Sequence, residues 1–342
     1  MATSQRKKKD RKLPPPSIAR IFRNIARLGR RKNIEEPTTP IIIQLKGCCI
    51  EDEGAIALLH SLEHAHVHCS LLDLSLCGLS NLSATHIARW LANDNKCSTL
   101  CLQGNEIGDI GGAAIARALQ NNTTMTSLRI ENNKLGEVAG NAFARTLRTN
   151  STAFKELNLL ANPLGSSGVS PIFLSLASNR ARVMNVALRR CDIDCSGIIV
   201  LADALRSNET IISLDLQSNL IGDDGAAALA SSLKHDNRTL RILDVRDNLI
   251  STGMYALEDM IQTNRSIRLL QIEGNDFAGD WASLNKRVQK QMDFNEIGYW
   301  KVVEKELKEE RERLEAVAEA ATASAIEKEL LKIKNIKLKM KK

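Results

Sequence analysis

Apolar residues recur in one frame along most of the chain. From Cys97 the frame runs Leu100-x-Leu102-x-x-Asn105-x-Ile107. The asparagine position returns as Asn133, Asn162, Asn219, Asn248 and Asn275, and cysteine occupies it at Cys48, Cys77 and Cys191. These nine positions lie 27 to 29 residues apart. Such regular spacing indicates a repeat architecture and not a conventional globular domain.

Each repeat predicts a short strand, a turn and a helix. Leu-x-Leu places two apolar side chains on one face of a strand. The Asn or Cys that follows lies where the chain turns away, and there it bonds backbone groups that the strand no longer satisfies. Ile115 and Leu119 then have helical spacing. Small residues such as Gly111 and Gly112 let adjacent helices pack closely.

The frame L-x-x-L-x-L-x-x-N/C-x-L resembles the leucine-rich repeat, and the period of 28–29 residues resembles its ribonuclease-inhibitor-like class. The resemblance implies an α/β fold, a curved solenoid of about nine repeats over residues 41–280. Parallel strands line the concave face and helices the convex face. It also implies a protein that binds macromolecules and is not an enzyme.

Three further segments flank the predicted solenoid. Residues 1–40 form a basic tail and an amphipathic helix or N-terminal cap. Residues 281–299 are predicted to close the last repeat, because Trp281, Leu284, Val288 and Met292 have helical spacing. Residues 300–342 are predicted to form a charged, lysine-rich helical arm. Trp300, Leu307 and Leu314 are seven apart there, a weak coiled-coil signal.

The charge is unevenly distributed. Residues 1–40 contain 12 basic and 3 acidic side chains, net +9, and residues 281–342 contain 15 and 11, net +4. The stretch between them has 20 basic and 26 acidic side chains, net −6. Basic ends on an acidic body favour acidic partners such as RNA, an anionic membrane or an acidic protein surface, tubulin included.

The predicted N-terminal helix is the most pointed of these basic features. Its apolar residues have the spacing of one helical face, and arginines lie between them at Arg20, Arg23, Arg27, Arg30 and Arg31. This pattern fits a docking segment for nucleic acid, membrane or a partner groove, a mitochondrial presequence, or a cap on the first repeat.

Residues between the core leucines are predicted to face the concave side. The candidate partner-binding residues there are Arg129, Glu131, Arg189, Arg190, Asp215, Asp244, Arg246, Asp247 and Glu273. Their mixed charge suits a polar protein contact, although the Trp and Tyr anchors of tight interfaces are missing. An ordinary solvated face is the competing interpretation.

A second asparagine series lies near the predicted helix ends at intervals of 29 residues: Asn121, Asn150, Asn179, Asn208 and Asn237. The series predicts left-handed residues that end helices. Asn208 and Asn237 also begin N-glycosylation motifs, but the repeat by itself accounts for their spacing.

Catalytic and cofactor motifs are weak. His64-x-His66-x-His68-Cys69 is the one metal-like cluster, and Cys69 occupies a core position of the repeat. The glycines near Gly108 lack the Lys-Ser/Thr of a phosphate loop. We therefore expect no enzyme activity, no metal and no cofactor. No apolar run is long enough to span a membrane, no secretion signal precedes the repeats, and the eight cysteines are expected to be reduced.

These patterns favour a scaffold or adaptor in a larger assembly. Among proteins with this repeat, the charged C-terminal helix looks most like cytoskeletal or ciliary axonemal members, which predicts a cytoplasmic, cytoskeletal or ciliary location. The alternative is an RNA-associated subunit of a ribonucleoprotein particle, in the mitochondrion or nucleus. A GTPase regulator is a third hypothesis, disfavoured because the C-terminus is basic.

Overall fold

The computed structural model describes residues 40–66, 68–93, 96–149, 155–180 and 182–318, together with Arg23. The rest of the predicted N-terminal helix, with Arg20, Arg27, Arg30 and Arg31, lies outside the described residues, as does the side chain of Leu314. Contacts divide the chain into two units, Met1–Trp281 and Ala282–Lys342.

Strands and helices alternate without exception through the described part of the first unit. The strands are β1 (Ile41–Gln44), β2 (Cys69–Asp73), β3 (Thr99–Cys101), β4 (Ser127–Arg129), β5 (Glu156–Asn158), β6 (Asn185–Ala187), β7 (Ser213–Asp215), β8 (Ile242–Asp244) and β9 (Leu269–Gln271). The helices are α1 (Glu51–Ala65), α2 (Asn81–Asn93), α3 (Asp109–Ala118), α4 (Glu137–Thr149), α5 (Gly165–Leu176), α6 (Cys195–Ser207), α7 (Asp223–His235), α8 (Met254–Thr263) and α9 (Trp281–Ala318).

The nine strands form one parallel sheet in sequence order. Equivalent repeat positions pair across it, as in Asp73 with Cys101, Cys101 with Arg129, and Arg129 with Asn158. A parallel sheet in sequence order results when every strand–helix unit repeats the same path. The predicted α/β leucine-rich-repeat solenoid is therefore confirmed.

The core lies between the sheet and the helices. Leu100, Leu102 and Ile107 of one repeat are fully buried, and Ile115 from the following helix is buried with them. Glycine brings the helices close at one point: a Cβ on Gly140 would overlap the carbonyl oxygen of Gly168 in the next repeat. Small residues thus permit the close packing of α4 on α5 that the sequence predicts.

Buried asparagines join neighbouring repeats. The Asn219 Oδ1 atom accepts hydrogen bonds from the backbone N–H groups of Cys191 at 3.0 Å and Ile193 at 3.1 Å. Its Nδ2 atom donates to the carbonyls of Leu188 at 2.8 Å and Leu216 at 2.9 Å. The predicted backbone-bonding role is confirmed, and most of the bonds reach the preceding repeat.

Cysteine performs only part of this role. The Cys191 thiol donates towards the carbonyl oxygen of Leu159, 3.3 Å from Sγ, and towards that of Arg189. A thiol has no second polar atom with which to hold the amides as Asn219 does. Burial raises the pKa of Cys191 to about 12, so the thiol remains protonated and serves as a donor.

We expect Asn219→Ala to lower the free energy of unfolding by about 3 kcal/mol, because it leaves two buried amides and two carbonyls without their partner. Asn219→Cys should cost clearly less, since cysteine occupies the same repeat position at Cys77 and Cys191 and retains a donor. Urea unfolding followed by circular dichroism measures both. Equal costs for the two variants would contradict the bridging role.

The second asparagine series works differently from the prediction. Asn179 alone of its described members is left-handed, with φ 54°. Asn208 is extended, with φ −78° and ψ 126°, and is buried. Its Oδ1 accepts from the backbone N–H groups of Thr210 and Ile211, and its Nδ2 donates to the Leu176 carbonyl of the preceding repeat.

The buried series therefore consists of Asn122, Asn208, Asn237 and Asn264, with Asn122 in place of the predicted Asn121. The left-handed explanation was wrong for Asn208 and Asn237, because the side-chain amide and not the backbone conformation demands asparagine there. Asn150 lies outside the described residues. The amide groups of the potential glycosylation motifs at Asn208, Asn237 and Asn264 are buried and bonded in the folded chain.

Helix starts are also linked between repeats. Asp109, the first residue of α3, accepts from the backbone N–H groups of Gly136, Val138 and Ala139 at the start of α4. Asp52 does the same for α2 through Ser80 and Ser83. Because free N–H groups at a helix start need acceptors, each of these side chains caps the next repeat's helix instead of its own.

Asp223 is the clearest case for a test. It accepts from the N–H groups of Ser251 at 2.7 Å and Gly253 at 2.8 Å and from the Thr252 hydroxyl at 2.7 Å. The Thr252 hydroxyl first, and then the Gly253 amide, lower the pKa of Asp223 below its usual 3.8. A lowered folded-state pKa means that this stabilisation is present above pH 3.8 and is lost as the pH falls through the folded value.

We expect Asp223→Ala to lower the free energy of unfolding by about 1 kcal/mol at pH 7. The difference from wild type should shrink as the pH falls below 3.8. Thermal unfolding at several pH values between neutrality and pH 3 measures it. Asp224→Ala, at the exposed neighbouring position, is the matched control. A cost for Asp223→Ala that does not depend on pH would exclude the charged cap.

The second unit is dominated by α9, which runs as one helix from Trp281 to Ala318 and so spans both the predicted cap and the first part of the predicted arm. Trp300 donates from Nε1 to Glu296 at 3.3 Å, and Lys305 pairs with Glu309 at 3.6 Å. Both pairs are four residues apart on one helical face, as predicted for a charged helix. The coiled-coil interpretation of Trp300, Leu307 and Leu314 stays a prediction.

Candidate functional site

The candidate concave site lies on the sheet face opposite the helices. Arg129, Asp215 and Asp244 end strands β4, β7 and β8. Glu131, Arg189, Arg246 and Glu273 follow two residues after the strand ends of their repeats. Since the strands pair in register, equivalent side chains form rows across the sheet, with adjacent strands about 4.8 Å apart.

Glu131 anchors the N-terminal part of this surface. It is 8% exposed, and its Oε1 atom accepts from Asn158 Nδ2 at 2.7 Å and lies 3.6 Å from Arg129 Nε. The Oε2 atom is buried without a hydrogen-bond partner among the described residues. Burial therefore raises the pKa of Glu131, and the Arg129 charge only partly opposes this rise.

A second cluster occupies the C-terminal part. Arg246 lies on Asp244, with Nε–Oδ1 at 3.0 Å and Nη2–Oδ2 at 2.6 Å. Asp215 pairs with Asp244 across β7 and β8, and burial raises its pKa, with the negative charge of Asp244 adding to the rise. Gln217 donates to Asp247 at 2.6 Å. These contacts hold four charged side chains in defined positions.

The structure places the other predicted residues on the same face without joining them in one network. Arg189 is half-buried, and Arg190 and Glu273 are exposed. Arg129 and Glu131 precede the Asp244 cluster by four repeats and form a separate group. The nine predicted residues thus form two clusters flanked by single charges, and their role in binding stays a prediction.

A groove at the opposite ends of the strands was missed from the sequence. It has a volume of about 680 Å³ and is lined by residues that precede β5 to β8: Lys155, Asn179, Arg182, Met184, Glu209, Thr210, Ile212, Thr239 and Arg241. Aligning the residues immediately before each strand, instead of only those within it, would have revealed a basic and apolar row. We refer to these residues as the strand-start groove.

Other candidate chemistry has structural roles. His64 lies in α1, His66 is the left-handed residue that ends it, and Cys69 is buried in β2. Across the ranges that the structure describes, no three His, Cys, Asp or Glu side chains form a metal-binding group. None of the eight cysteines, all of which are described, forms a disulfide. No helix in those ranges combines the length and apolar character that crossing a bilayer demands.

Comparison with known proteins agrees with this geometry. The family model described as Leucine Rich repeat matches residues 42–59, 98–116 and 207–230. Ribonuclease inhibitor from Sus scrofa is 27% identical over 225 residues, 66% of this chain and 49% of its own length. The chain is a leucine-rich-repeat protein of the ribonuclease-inhibitor-like class. Such repeats are binding scaffolds for other proteins.

Further relatives of this leucine-rich-repeat protein are larger. NACHT, LRR and PYD domains-containing protein 5 from Bos taurus is 24% identical over 234 residues, 68% of this chain and 21% of the relative. The chain thus spans about a fifth to a half of the length of these two relatives. Among solved structures, leiomodin-1 actin-binding site 2 is similar at a TM-score of 0.41 and 20% identity, covering 50% of this chain and 95% of that one.

The raised pKa of Glu131 predicts a pH effect on the leucine-rich-repeat protein. A folded-state value above the unfolded one means that ionising the carboxyl costs stability as the pH rises. We expect the stability of Glu131→Gln relative to wild type to increase between about pH 4 and pH 7. Urea unfolding at both pH values measures it. Glu273→Gln, exposed in the same row, is the control, and an equal change in both variants would contradict the burial argument.

Proposed function

We propose that the chain is a non-enzymatic scaffold that binds a protein through its concave face and docks into a larger cytoskeletal or ciliary axonemal assembly. The observation that carries this proposal is the cluster of Asp215, Asp244, Arg246 and Asp247. Its side chains are already positioned, so binding a complementary surface would cost little side-chain entropy.

The charge left over in this cluster specifies the kind of partner. Arg246 is largely neutralised by its bidentate contact with Asp244. Asp247 and Glu273 therefore leave an acidic strip, while Arg189 and Arg190 lie towards the middle of the sheet. A protein surface with basic side chains opposite the strip and an acidic group opposite the arginines would be complementary. Such complementarity determines partner choice and association rate more than affinity.

The long charged helix supports the assembly part of the proposal. Helix α9 has 38 residues, which gives a length of roughly 57 Å at 1.5 Å per residue. Its resemblance to the helices of cytoskeletal and axonemal repeat proteins is the basis for preferring that location. The basic segments at residues 1–40 and 300–342 would then dock against acidic surfaces such as tubulin.

The +9 charge of residues 1–40 favours a second candidate, an RNA-associated subunit of a ribonucleoprotein particle. Phosphate contacts of such a segment would weaken steeply with salt. Because both candidates use the basic ends, the concave face separates them: the scaffold requires its charges, and the RNA-bound subunit does not.

We expect Asp247→Lys/Glu273→Lys to reduce capture of cytoskeletal partners from native ciliated-cell lysate at least tenfold, a loss of about 1.4 kcal/mol. Affinity purification with quantitative mass spectrometry measures it. The control is Glu53→Lys/Glu63→Lys, which makes the same charge change on the exposed face of α1. Unchanged capture by the concave variant would contradict the proposal. Ribosomal proteins released by nuclease would favour the RNA-associated subunit.

A further inference from the structure

The strand-start groove has an ordered floor. Lys155, Met184, Ile212, Arg241 and Arg268 each directly precede a strand, from β5 to β9. Their backbones are joined in sequence: Met184 N–H donates to the Lys155 carbonyl at 2.9 Å, and Ile212, Arg241 and Arg268 each continue the chain of bonds at 2.8 Å. The five residues therefore lie side by side at strand spacing.

Apolar and basic side chains alternate in blocks along this floor. Lys155 lies at one end, Met184 and Ile212 in the middle, and Arg241 with Arg268 at the other end. Met184 is 37% exposed. Arg182, Thr210 and Thr239, each two residues earlier in its repeat, form the groove's second row. The Arg241 guanidinium donates to the carbonyl of Arg238 at 2.7 Å, which holds it at the groove.

The positive charge is concentrated here although the body of the chain is acidic. Lys155 and the four loops at 177–184, 208–212, 236–241 and 264–268 contain seven basic and two acidic side chains, whereas residues 41–280 together have a net charge of −6. The equivalent floor positions in earlier repeats are His68, Ser98 and Thr126, without Lys or Arg. The basic groove is thus a property of repeats five to nine.

The lining favours a peptide over a nucleic acid. Proteins that bind single-stranded nucleic acid stack the bases on aromatic side chains, and the groove lining contains none. It also contains the carboxylate of Glu209, which would repel a phosphate backbone. By contrast, exposed Met184 and Ile212 between cations fit an apolar side chain flanked by carboxylates.

The ends of this chain are poor occupants on charge. Residues 1–39 carry 12 basic and 3 acidic side chains, and residues 319–342 carry 7 basic and 3 acidic ones. Both would be repelled by a basic groove. The occupant is therefore sought on another protein.

We propose that the strand-start groove binds an extended acidic peptide segment of a partner protein, with one or two apolar residues between Asp or Glu residues. Three strand steps separate Lys155 from Arg241, about 14 Å at 4.8 Å per step, which an extended peptide spans in about four residues. The occupant's flanking carboxylates are thus about four residues apart. This inference rests on the proposed protein-binding function but uses a surface separate from the concave cluster.

The test is selection of a random phage-displayed peptide library of about twelve residues on the full chain. The most enriched peptide is then labelled, and its affinity is measured by fluorescence anisotropy. Lys155→Glu/Arg182→Glu reverses two exposed charges of the groove, and Arg145→Glu/Arg148→Glu reverses two exposed charges on α4 as the matched control. Thermal unfolding confirms that both variants fold. A labelled uridine oligonucleotide is measured in parallel.

We expect enriched peptides with acidic residues on both sides of an apolar one, and a Kd at least tenfold weaker for the groove variant, with a slower association rate and unchanged binding by the control. Asp247→Lys/Glu273→Lys should bind the peptide as wild type does, so that failure of the concave proposal leaves this result standing. Enrichment of basic peptides, no saturable peptide binding, or tighter binding of the oligonucleotide that the groove variant abolishes would each overturn the inference.

Discussion

The structure depends on one constraint: where each strand ends, its backbone groups and those of the preceding repeat must be satisfied inside the core. Buried amide side chains such as Asn162 and Asn219 meet this demand with both of their polar atoms. Because each side chain bonds two repeats at once, no repeat completes its own hydrogen bonding. The stability of one strand–helix unit is therefore inseparable from that of its neighbour.

The same dependence extends around each repeat. Asn208 and its equivalents close the other end of the strand, and Asp52, Asp109 and Asp223 cap the next helix. Three separate series of side chains thus tie each unit to the next. As a result, equivalent residues are held in straight rows, and a change of residue type along one row changes the surface gradually from repeat to repeat.

Two such rows carry the charge patterns that matter for binding. At the strand ends, Arg246 and Asp244 neutralise one another and leave acidic groups on the concave face. At the strand starts, Lys155 and Arg241 flank Met184 and Ile212. The two surfaces have opposite sign on one sheet. A scaffold with both could hold a basic surface and an acidic segment at the same time, which raises the effective concentration of one for the other.

The sequence by itself determined the fold class, the nine repeats and the concave rows, because buried leucines at fixed spacing allow only one path of the chain. It also indicated that Asn219 bonds the backbone. It did not show that the bonds cross to the preceding repeat, nor that Asn208 is extended and buried, because spacing carries no information about the partner of a side chain. Only the tertiary structure decided that Glu131 is buried with an unpaired oxygen and that Lys155, Met184 and Arg241 meet in one groove. Those residues lie about 29 apart in the chain, and only the parallel pairing of strands makes them neighbours.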